Sequence, residues 1–515
     1  MTRRQVALLV ALGALALTAS YPPFALPVLS FVALAPGLVL LRRAEREGTP
    51  RRAFAWGFWY GLGTHSLVLY WLIVALWRFT RLSALGYLAT ITVLGLWIGA
   101  LFWFTVQVRR RIPRVPLWVV FPIGWTAVEW AIGHLGDVAF PWLGLGTSLT
   151  ETPLLVQWAD LAGARGVTLW LVWCNVVLVD VGSRVAERRG EGRAGAWRGA
   201  AAVVVSVALA LGYGAWRMRT LPMRDLAVVA LIQPNEGFRE KWEQGRADTV
   251  VDKLVRLSEV ARQRARPALY IWPEAAIPGY LQNQPRWVAA IAGLARESDA
   301  PILSGTLWAR FRGPGDYDYY NAAAFFDSSG DWRSHPVYGK QYLVPVVERV
   351  PFVPPRWFGN LRFFGGFSRG REVPLYQTAF GRLGVLICYE SAFEDLSRRY
   401  RRLGADVLVN ITNDAWYGRT SAPAQHAAHL VMRAIETRAG IARPANSGIS
   451  EFLDPLGRSY AATQLETEAV VTDTLRTSDV IPLYTRWGDW VGRLSVLAML
   501  CFAGALWWQR WRLGP

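Results

Sequence analysis

Residues 384–391 read Gly384-Val385-Leu386-Ile387-Cys388-Tyr389-Glu390-Ser391. The short apolar run that ends at Ile387 is typical of a buried strand, so the cysteine falls at a strand terminus, where loops build sites. The other two cysteines, Cys174 and Cys501, lie in long apolar segments of membrane-span length. If the surrounding domain lies outside the cytoplasm, Cys388 has no soluble disulfide partner in its chain, which favours a reactive thiol. The alternative, which the cysteine taken alone favours, is a buried strand-end cysteine packed as a small hydrophobe.

The composition indicates a membrane protein with an additional domain. The chain has 515 residues, of which 53% are hydrophobic and 27 are Trp. It is too apolar for an ordinary soluble protein and long enough for a membrane bundle plus a separate domain. The net charge of +18 comes largely from arginines clustered between apolar segments. Since that pattern orients membrane proteins, we expect no nucleic-acid partner.

The apolar segments and the arginine clusters together predict the topology. Clusters within 42–52, 109–114 and 184–198, and at both termini, fall on one side of an eight-span arrangement. By the positive-inside rule that side is cytoplasmic, so both termini are cytoplasmic. The predicted domains are a transmembrane domain of seven helices at 1–216, an extracytoplasmic domain at 217–489, and a last helix with a cytoplasmic tail at 490–515. The predicted spans are 5–20, 24–41, 54–77, 83–106, 116–133, 166–182, 199–216 and 490–508.

Polar residues fall within or near three of the predicted spans. They are Glu129, Asn175 and Asp180. Ionisable and amide groups at membrane depth are either functional or form bonds between helices. The second interpretation is favoured for Asn175 and Asp180, and both stay open for Glu129.

The segment 217–489 alternates short apolar runs with charged, helix-periodic stretches, which indicates an α/β domain. Amphipathic periodicity predicts a helix at 248–264, and helices are also expected at 285–298, 392–403 and 422–438. The predicted strands are Val228–Gln233, Ala268–Trp272, Pro301–Leu307, Ala322–Phe326, Leu383–Cys388, Val407–Ile411 and Val470–Thr472.

Polar residues with catalytic chemistry stand at strand ends or in adjacent loops at three places. Glu274 ends Trp272-Pro273-Glu274, Lys340 ends Tyr338-Gly339-Lys340, and Cys388 ends the run described above. In one cleft, the carboxylate would take the thiol proton, the thiolate would attack a carbonyl, and the ammonium would neutralise the oxyanion. Taken singly, Glu274 and Lys340 are better interpreted as solvated loop charges.

These three segments, in this order, resemble the Glu-Lys-Cys site of the nitrilase (carbon-nitrogen hydrolase) superfamily. With seven predicted spans before the domain and one after it, the chain resembles the bacterial apolipoprotein N-acyltransferases over essentially its whole length. Further matching segments are Lys241-Trp242, Val344-Pro345, Glu348, Val350-Pro351, Asn413-Asp414-Ala415-Trp416-Tyr417-Gly418, Arg443, and Asn446-Ser447-Gly448-Ile449-Ser450.

The resemblance implies a nitrilase-like α-β-β-α sandwich on the periplasmic side of the inner membrane. It implies transfer of a fatty acyl chain from a phospholipid, through a cysteine thioester, to the α-amino group of the lipidated N-terminal cysteine of an apolipoprotein carrying diacylglyceryl. No cofactor or metal is expected. By position, Cys388 is the expected nucleophile, Glu274 the general base and Lys340 the oxyanion partner. The expected supporting residues are Trp242, Glu348, Tyr389, Glu390, Asn413 and Trp416.

The chain departs from the family pattern beside two of these positions. The family usually has Phe-Gly before Glu348 and Tyr after it, where this chain has Val346-Val347 and Arg349. After Glu390 an apolar pair and Phe-Pro are replaced by Ser391-Ala392-Phe393-Glu394. Both departures bear on pocket shape and substrate preference.

An aromatic, glycine-containing stretch at 356–367 predicts a lid at the membrane interface, formed by Trp357, Phe358, Phe363 and Phe364. An ordinary packed loop is the alternative.

His426 and His429 have helical spacing but no third ligand, so they are interpreted as structural. Competing functions are a membrane-tethered amidase or nitrilase that hydrolyses its thioester, and a catalytically silent lipid-binding protein.

Overall fold

The computed structural model describes residues 1–77, 83–186, 190–237, 240–243, 245–313, 316–352 and 366–512. Contacts divide the chain into two compact units. A helical unit comprises Met1–Leu135, Phe140–Thr220 and Trp487–Pro515, and an α/β unit comprises Gly136–Ala139 and Leu221–Arg486. The four residues 136–139 therefore belong to the α/β unit, although the chain on both sides of them belongs to the helical unit.

Most helices of both units overlap predicted segments, whereas the short helices at 153–156 and 483–487 were not predicted. Their bounds, in chain order, are α1 Arg3–Ser20, α2 Pro27–Ser30, α3 Ala35–Arg46, α4 Pro50–Val68, α5 Trp71–Trp77, α6 Ser83–Arg111, α7 Leu117–Gly133, α8 Pro153–Val156, α9 Ala159–Ala186, α10 Gly190–Thr220, α11 Arg246–Ala265, α12 Pro285–Ser298, α13 Glu394–Leu403, α14 Ala422–Thr437, α15 Leu483–Trp487 and α16 Trp490–Arg512.

Within the described residues, six helical segments are long and apolar enough to cross a membrane. They are Arg3–Ser20, Pro27–Arg46, Ala84–Arg111, Ala159–Ala186, Ala194–Thr220 and Trp490–Trp511. Helix α7 is apolar but shorter. The predicted span 54–77 is divided between α4 and α5. Helix α9 contains a break at Gly163, whose φ is +70°, so its regular part starts close to the predicted residue 166.

The polar residues predicted within spans are bonded inside the helical unit. Asn175 joins two helices, because its Nδ2 donates to Ser30 O at 2.9 Å and its Oδ1 accepts from Leu34 N at 2.9 Å. Asp180 pairs with Arg42. Glu129 accepts hydrogen bonds from Trp125 Nε1, Leu145 N and Thr168 Oγ1 at 2.8–2.9 Å. All three side chains thus tie segments of the unit together, which favours the structural interpretation.

Two sheets form the centre of the α/β unit. Within the described residues, the first has the order β13-β1-β2-β4-β5-β6 with β3 paired to β4, and the second has the order β12-β11-β10-β9-β8-β7. The strand bounds are β1 Arg224–Gln233, β2 Leu269–Ile271, β3 Ile277–Tyr280, β4 Ile302–Gly313, β5 Asp316–Phe326, β6 Tyr338–Gly339, β7 Leu375–Thr378, β8 Gly381–Ile387, β9 Val407–Ile411, β10 Gly440–Arg443, β11 Glu451–Leu453, β12 Ser459–Tyr460 and β13 Ala469–Thr477.

The helices cover the outer faces of the two sheets. Leu254 of α11 and Ile291 of α12 share one hydrophobic core with Tyr270 and Trp272 from the first sheet. Helices α13 and α14 pack on the second sheet, and β10 contacts β13 between the sheets. The predicted α-β-β-α sandwich is therefore confirmed. In this arrangement the parallel central strands deliver their carboxyl ends, and the residues that follow them, to one region.

Candidate active site

Cys388 follows directly after a central strand. Strand β8 pairs in parallel with β9, with Ile387 opposite Ile411, and ends one residue before the cysteine. Cys388 begins a short 3-10 helix and has a left-handed φ of +52°. Asn410 Nδ2 donates to the Cys388 carbonyl at 3.2 Å. A non-glycine residue in this conformation is uncommon, and such strained residues concentrate at functional sites.

Glu274 lies in an equally constrained turn after β2. The next residue, Ala275, also has a left-handed φ, of +46°. Gly305 of β4 passes so close that a Cβ there would lie 2.3 Å from Pro273 O. Asn321 Nδ2 donates to Glu274 Oε1 at 2.7 Å. The close approach of Gly305 thus restrains the turn that carries Glu274, and the Asn321 amide orients its carboxylate.

Lys340 joins two carboxylates at the end of β6. It is 1% exposed, and its Nζ lies 2.9 Å from Glu348 Oε1 and 3.4 Å from Glu274 Oε1. Asn321 Nδ2 also donates to Glu348 Oε1, at 2.9 Å. Glu348 Oε2 accepts from Val344 N at 2.8 Å. A buried ammonium with two carboxylates and a bridging amide is a connected polar network, which holds its members in one geometry.

The electrostatics link this network to the thiol. Burial and then the charge of Glu274 raise the pKa of Cys388 well above its usual value, while Lys340 lowers it. Burial alone would lower the pKa of Lys340, but Glu348, Glu274 and Cys388 outweigh it and raise the pKa. The resting thiol is therefore protonated and the lysine charged at neutral pH. Glu274 Oε2 is buried and accepts no hydrogen bond within the described residues, so it is available as a proton acceptor.

Glu390 connects the two loops that carry Cys388 and Lys340. Its carboxylate accepts from Ile387 N at 2.7 Å on the cysteine side. On the lysine side it accepts from Gln341 N at 2.6 Å, Tyr342 N at 3.1 Å and the Tyr338 hydroxyl at 2.8 Å. Burial raises the pKa of Glu390 to about 7, although the backbone donors oppose the shift. Glu390 therefore links the loop of Cys388 to the loop of Lys340 through their backbone N–H groups.

The remaining predicted residues surround this centre in different ways. The Tyr389 hydroxyl donates to Ala139 O at 2.9 Å. Asn413 is buried, and its Oδ1 accepts from Asn446 Nδ2 at 3.0 Å. Trp416 is half-buried. Lys340 thus contacts both Glu274 and Glu348. Tyr389 is hydrogen-bonded to the backbone of Ala139, and Asn413 to the side chain of Asn446.

Lys241 and its neighbour Trp242 lie near Glu274. Lys241 is buried, its Nζ donates to Ala275 O at 3.2 Å, and the ammonium lies 5.2 Å from the centre of the exposed Trp242 ring. Burial lowers the pKa of Lys241 to about 8, and the charges of Glu274 and Glu236 oppose the shift. Lys241 was predicted only as part of a segment that matches the family, with no role of its own, because a lysine in a polar segment is ordinarily solvated.

A buried ion pair supports the loop after β9. Asp414 Oδ1 lies 2.9 Å from His426 Nδ1, and Asp414 Oδ2 lies 2.8 Å from Arg443. Burial opposes ionisation, but Arg443 and His426 lower the pKa of Asp414 to about 2. His426 thus has a structural partner. Within the described residues, no group of three or more His, Cys, Asp or Glu side chains is arranged to hold a metal ion.

The predicted lid residues Trp357, Phe358, Phe363 and Phe364 lie outside the described residues.

Known proteins resemble the chain in both halves. Residues 13–177 match the family described as "Apolipoprotein N-acyltransferase N-terminal domain", and residues 228–484 match "Carbon-nitrogen hydrolase". Relatives named apolipoprotein N-acyltransferase align over most of their length. The one from Geobacter metallireducens is 33% identical over 97% of this chain and 93% of its own. Those from Gloeobacter violaceus and Chlorobaculum tepidum are 32% and 30% identical, over 95% and 93% of this chain and 92% and 93% of their own.

Proposed function

Because the chain belongs to the apolipoprotein N-acyltransferase family, we propose that Cys388, Glu274 and Lys340 form its catalytic triad. The chain is a membrane acyltransferase that acts on lipids and lipoproteins. The amidase alternative is not favoured, because it accounts only for the region 228–484 and not for the match at 13–177. The observation that carries the triad is the buried network in which Lys340 contacts Glu274 while both act electrostatically on Cys388.

The acyl donor is a membrane phospholipid in the first step. Glu274 takes the thiol proton as Sγ attacks the ester carbonyl. The oxyanion is neutralised by Lys340 and by the backbone N–H of Tyr389. Glu274 then gives its proton to the departing oxygen, so that lysophospholipid leaves and the acyl group stays on Sγ as a thioester. The free Oε2 of Glu274 and the raised pKa of Cys388 support this order, since the thiol needs a base.

The acceptor in the second step is the α-amino group of a diacylglyceryl apolipoprotein. Its nitrogen attacks the thioester carbonyl, Glu274 removes a proton from the nitrogen, and the C–S bond breaks to release the amide and restore the thiol. The two substrates use one nucleophile in turn, so ping-pong kinetics are expected.

The supporting residues hold this machinery in place. Glu348 fixes Lys340 at 2.9 Å, Glu390 fixes the two loops, and Tyr389 and Asn413 fix the surroundings of the cysteine. Trp242 and Trp416 are assigned to the substrate pocket. The catalytic segment is 217–489, between helices at 1–216 and 490–515. It lies on the periplasmic side of the bacterial inner membrane, with both termini cytoplasmic.

Intact-protein mass spectrometry after incubation with phospholipid tests the proposal. Wild-type protein should gain the mass of one acyl chain, and Cys388→Ser should gain none while remaining folded in detergent. Addition of a lipidated peptide should remove the adduct and acylate the peptide. An adduct that survives in Cys388→Ala, which has no nucleophilic side chain at this position, rules out this nucleophile. Release of free fatty acid without an amine acceptor favours hydrolysis.

A further inference from the structure

Two arginines of the α/β unit converge on one carboxylate. Arg369 Nη2 lies 2.6 Å from Asp137 Oδ1, and Arg349 Nε lies 3.5 Å from Asp137 Oδ2. The side chains of Arg369, Arg349 and Asp137 are 39%, 24% and 18% exposed. Arg349 Nε forms no hydrogen bond within the described residues. One carboxylate cannot neutralise two guanidinium groups, so this Arg349–Arg369 pair keeps a net positive charge that solvent or a ligand can reach.

The backbone of the catalytic network carries both arginines. Arg349 is the residue after Glu348, the carboxylate that contacts Lys340 Nζ. Gly370, the residue after Arg369, donates its N–H to Lys340 O at 2.9 Å. The geometry of the pair is therefore fixed to the same loop that fixes the proposed oxyanion partner.

Asp137 belongs to a short segment on the nucleophile side of the site. The segment Gly136–Ala139 is part of the α/β unit, and Ala139 O accepts the hydrogen bond of Tyr389, the neighbour of Cys388. Asp137 Oδ2 also accepts from Phe352 N at 3.3 Å. The Arg349–Arg369 pair is thus bounded by residues attached to Lys340 on one side and to the loop of Cys388 on the other.

We propose that the Arg349–Arg369 pair binds the phosphate group of the phospholipid acyl donor and that the phosphate takes the place of Asp137. This inference rests on the proposed function. Guanidinium groups present paired N–H donors that match phosphate oxygens, and such charge-assisted bonds are short and strong. The phosphate of a glycerophospholipid is only a few bonds from its ester carbonyls. Anchoring it near the network would therefore bring a carbonyl to Sγ.

The pairing also separates the two substrates. A diacylglyceryl-cysteine acceptor carries no phosphate, so the pair serves the first step and leaves the second unaffected. Arg349 stands where the family usually has Tyr, and this second guanidinium is therefore a specificity feature of this chain.

Three variants of the full-length protein test the assignment: Arg349→Gln, Arg369→Gln and Asp137→Asn. Acyl-Cys388 formation is followed by intact mass spectrometry, with phosphatidylglycerol vesicles or with a phosphate-free palmitoyl ester as donor. Each arginine variant should be slower by about tenfold or more with the phospholipid and nearly unchanged with the phosphate-free ester, as expected for one lost charge-assisted contact. Asp137→Asn should be as fast as wild type or faster, because it frees both guanidinium groups.

The results that overturn the assignment are distinct. Equal loss on both donors, or an Asp137→Asn defect like that of the arginine variants, would make the cluster a structural ion pair. A third result would assign the pair to free phosphate. In that case inorganic phosphate would inhibit the wild type with both donors, the arginine variants would escape this inhibition, and they would show no selective loss with the phospholipid donor.

A binding measurement separates this inference from the proposed function. Short-chain phosphatidylglycerol should bind a Cys388→Ala protein about tenfold more weakly when either arginine is replaced, whereas a short-chain diacylglycerol should not. Unchanged phosphatidylglycerol binding would refute the phosphate site and leave the proposed function standing. Absence of any acyl adduct on wild-type Cys388 would instead refute the proposed function.

Discussion

Replacement of Lys241 by Met should stabilise the protein at neutral pH while impairing catalysis. Burial lowers the pKa of Lys241 from 10.5 to about 8. Since one pKa unit corresponds to about 1.4 kcal/mol, keeping this ammonium charged in the folded state costs about 3 kcal/mol at pH 7. Methionine removes that cost but leaves the Ala275 carbonyl without its donor, a loss of about 1 kcal/mol. The net expected gain in the free energy of unfolding is about 2 kcal/mol.

The sign and range of the pH dependence follow from the depressed pKa. Below pH 8 the lysine is charged in both folded and unfolded states, so the full cost is present. Between pH 8 and 10.5 the unfolded chain binds more protons than the folded one, so wild-type stability rises with pH. The advantage of Lys241→Met should therefore fall from about 2 kcal/mol at pH 7 to nearly zero at pH 10.

Denaturation of the purified full-length protein in detergent, followed by Trp fluorescence at pH 7 and pH 10, measures the effect. Lys253→Met is the matched control, because Lys253 forms a partly exposed ion pair with Glu236 at 2.7 Å and should give no gain at pH 7. In parallel, Lys241→Met should slow acyl-enzyme formation by about tenfold or more, since small misplacements of catalytic groups cost up to about a hundredfold. A variant less stable than wild type at pH 7, or an advantage equal at both pH values, would refute the reasoning.

Two further substitutions test the framework of the site. Glu390→Gln places an amide N–H₂ among four donors, so it should disturb the two loops and slow acylation of Cys388. An unchanged rate of acyl-Cys388 formation would contradict the connecting role of Glu390. Gly305→Ala forces a Cβ to within 2.3 Å of Pro273 O, so it should displace Glu274 and abolish the acyl adduct. The control is Gly293→Ala, whose Cβ would meet nothing within 4 Å in a helix and which should be neutral or slightly stabilising. Full activity of Gly305→Ala would mean that the turn at Glu274 can move to accommodate the Cβ.

The elements that sequence reasoning located are those with continuous apolar runs. The run ending at Ile387 predicted the strand and the place of Cys388, because a central parallel strand is buried on both faces. The predicted strand ended one residue too late, at Cys388 itself, since periodicity does not reveal a left-handed φ. The short strands β3, β6, β7, β10, β11 and β12 were not predicted, because two to four residues carry too little periodic signal.

The polar partners of the proposed triad were harder to predict for a physical reason. Strand β5 begins at Asp316, but its first half is Asp-Tyr-Asp-Tyr-Tyr-Asn, so the predicted strand began at Ala322 and omitted Asn321. Asn321 is placed by the antiparallel pairing of β5 with β4, where it lies opposite Leu307. Such a role arises from tertiary pairing between strands, and neither composition nor spacing encodes it locally.

In the proposed mechanism, the balance of charge in the buried site decides how the thiol of Cys388 is activated. Lys340 lies between Glu274 and Glu348, and Lys241 supplies a second cation beside Glu274, so two carboxylates face two ammonium groups. Losing the thiol proton to water would add an unpaired charge in a buried place, at a cost of several kcal/mol. Passing the proton to Glu274 only moves the negative charge from oxygen to sulfur, next to Lys340. Because burial and Glu274 raise the pKa of Cys388 more than Lys340 lowers it, the site favours a base that acts during attack over a preformed thiolate.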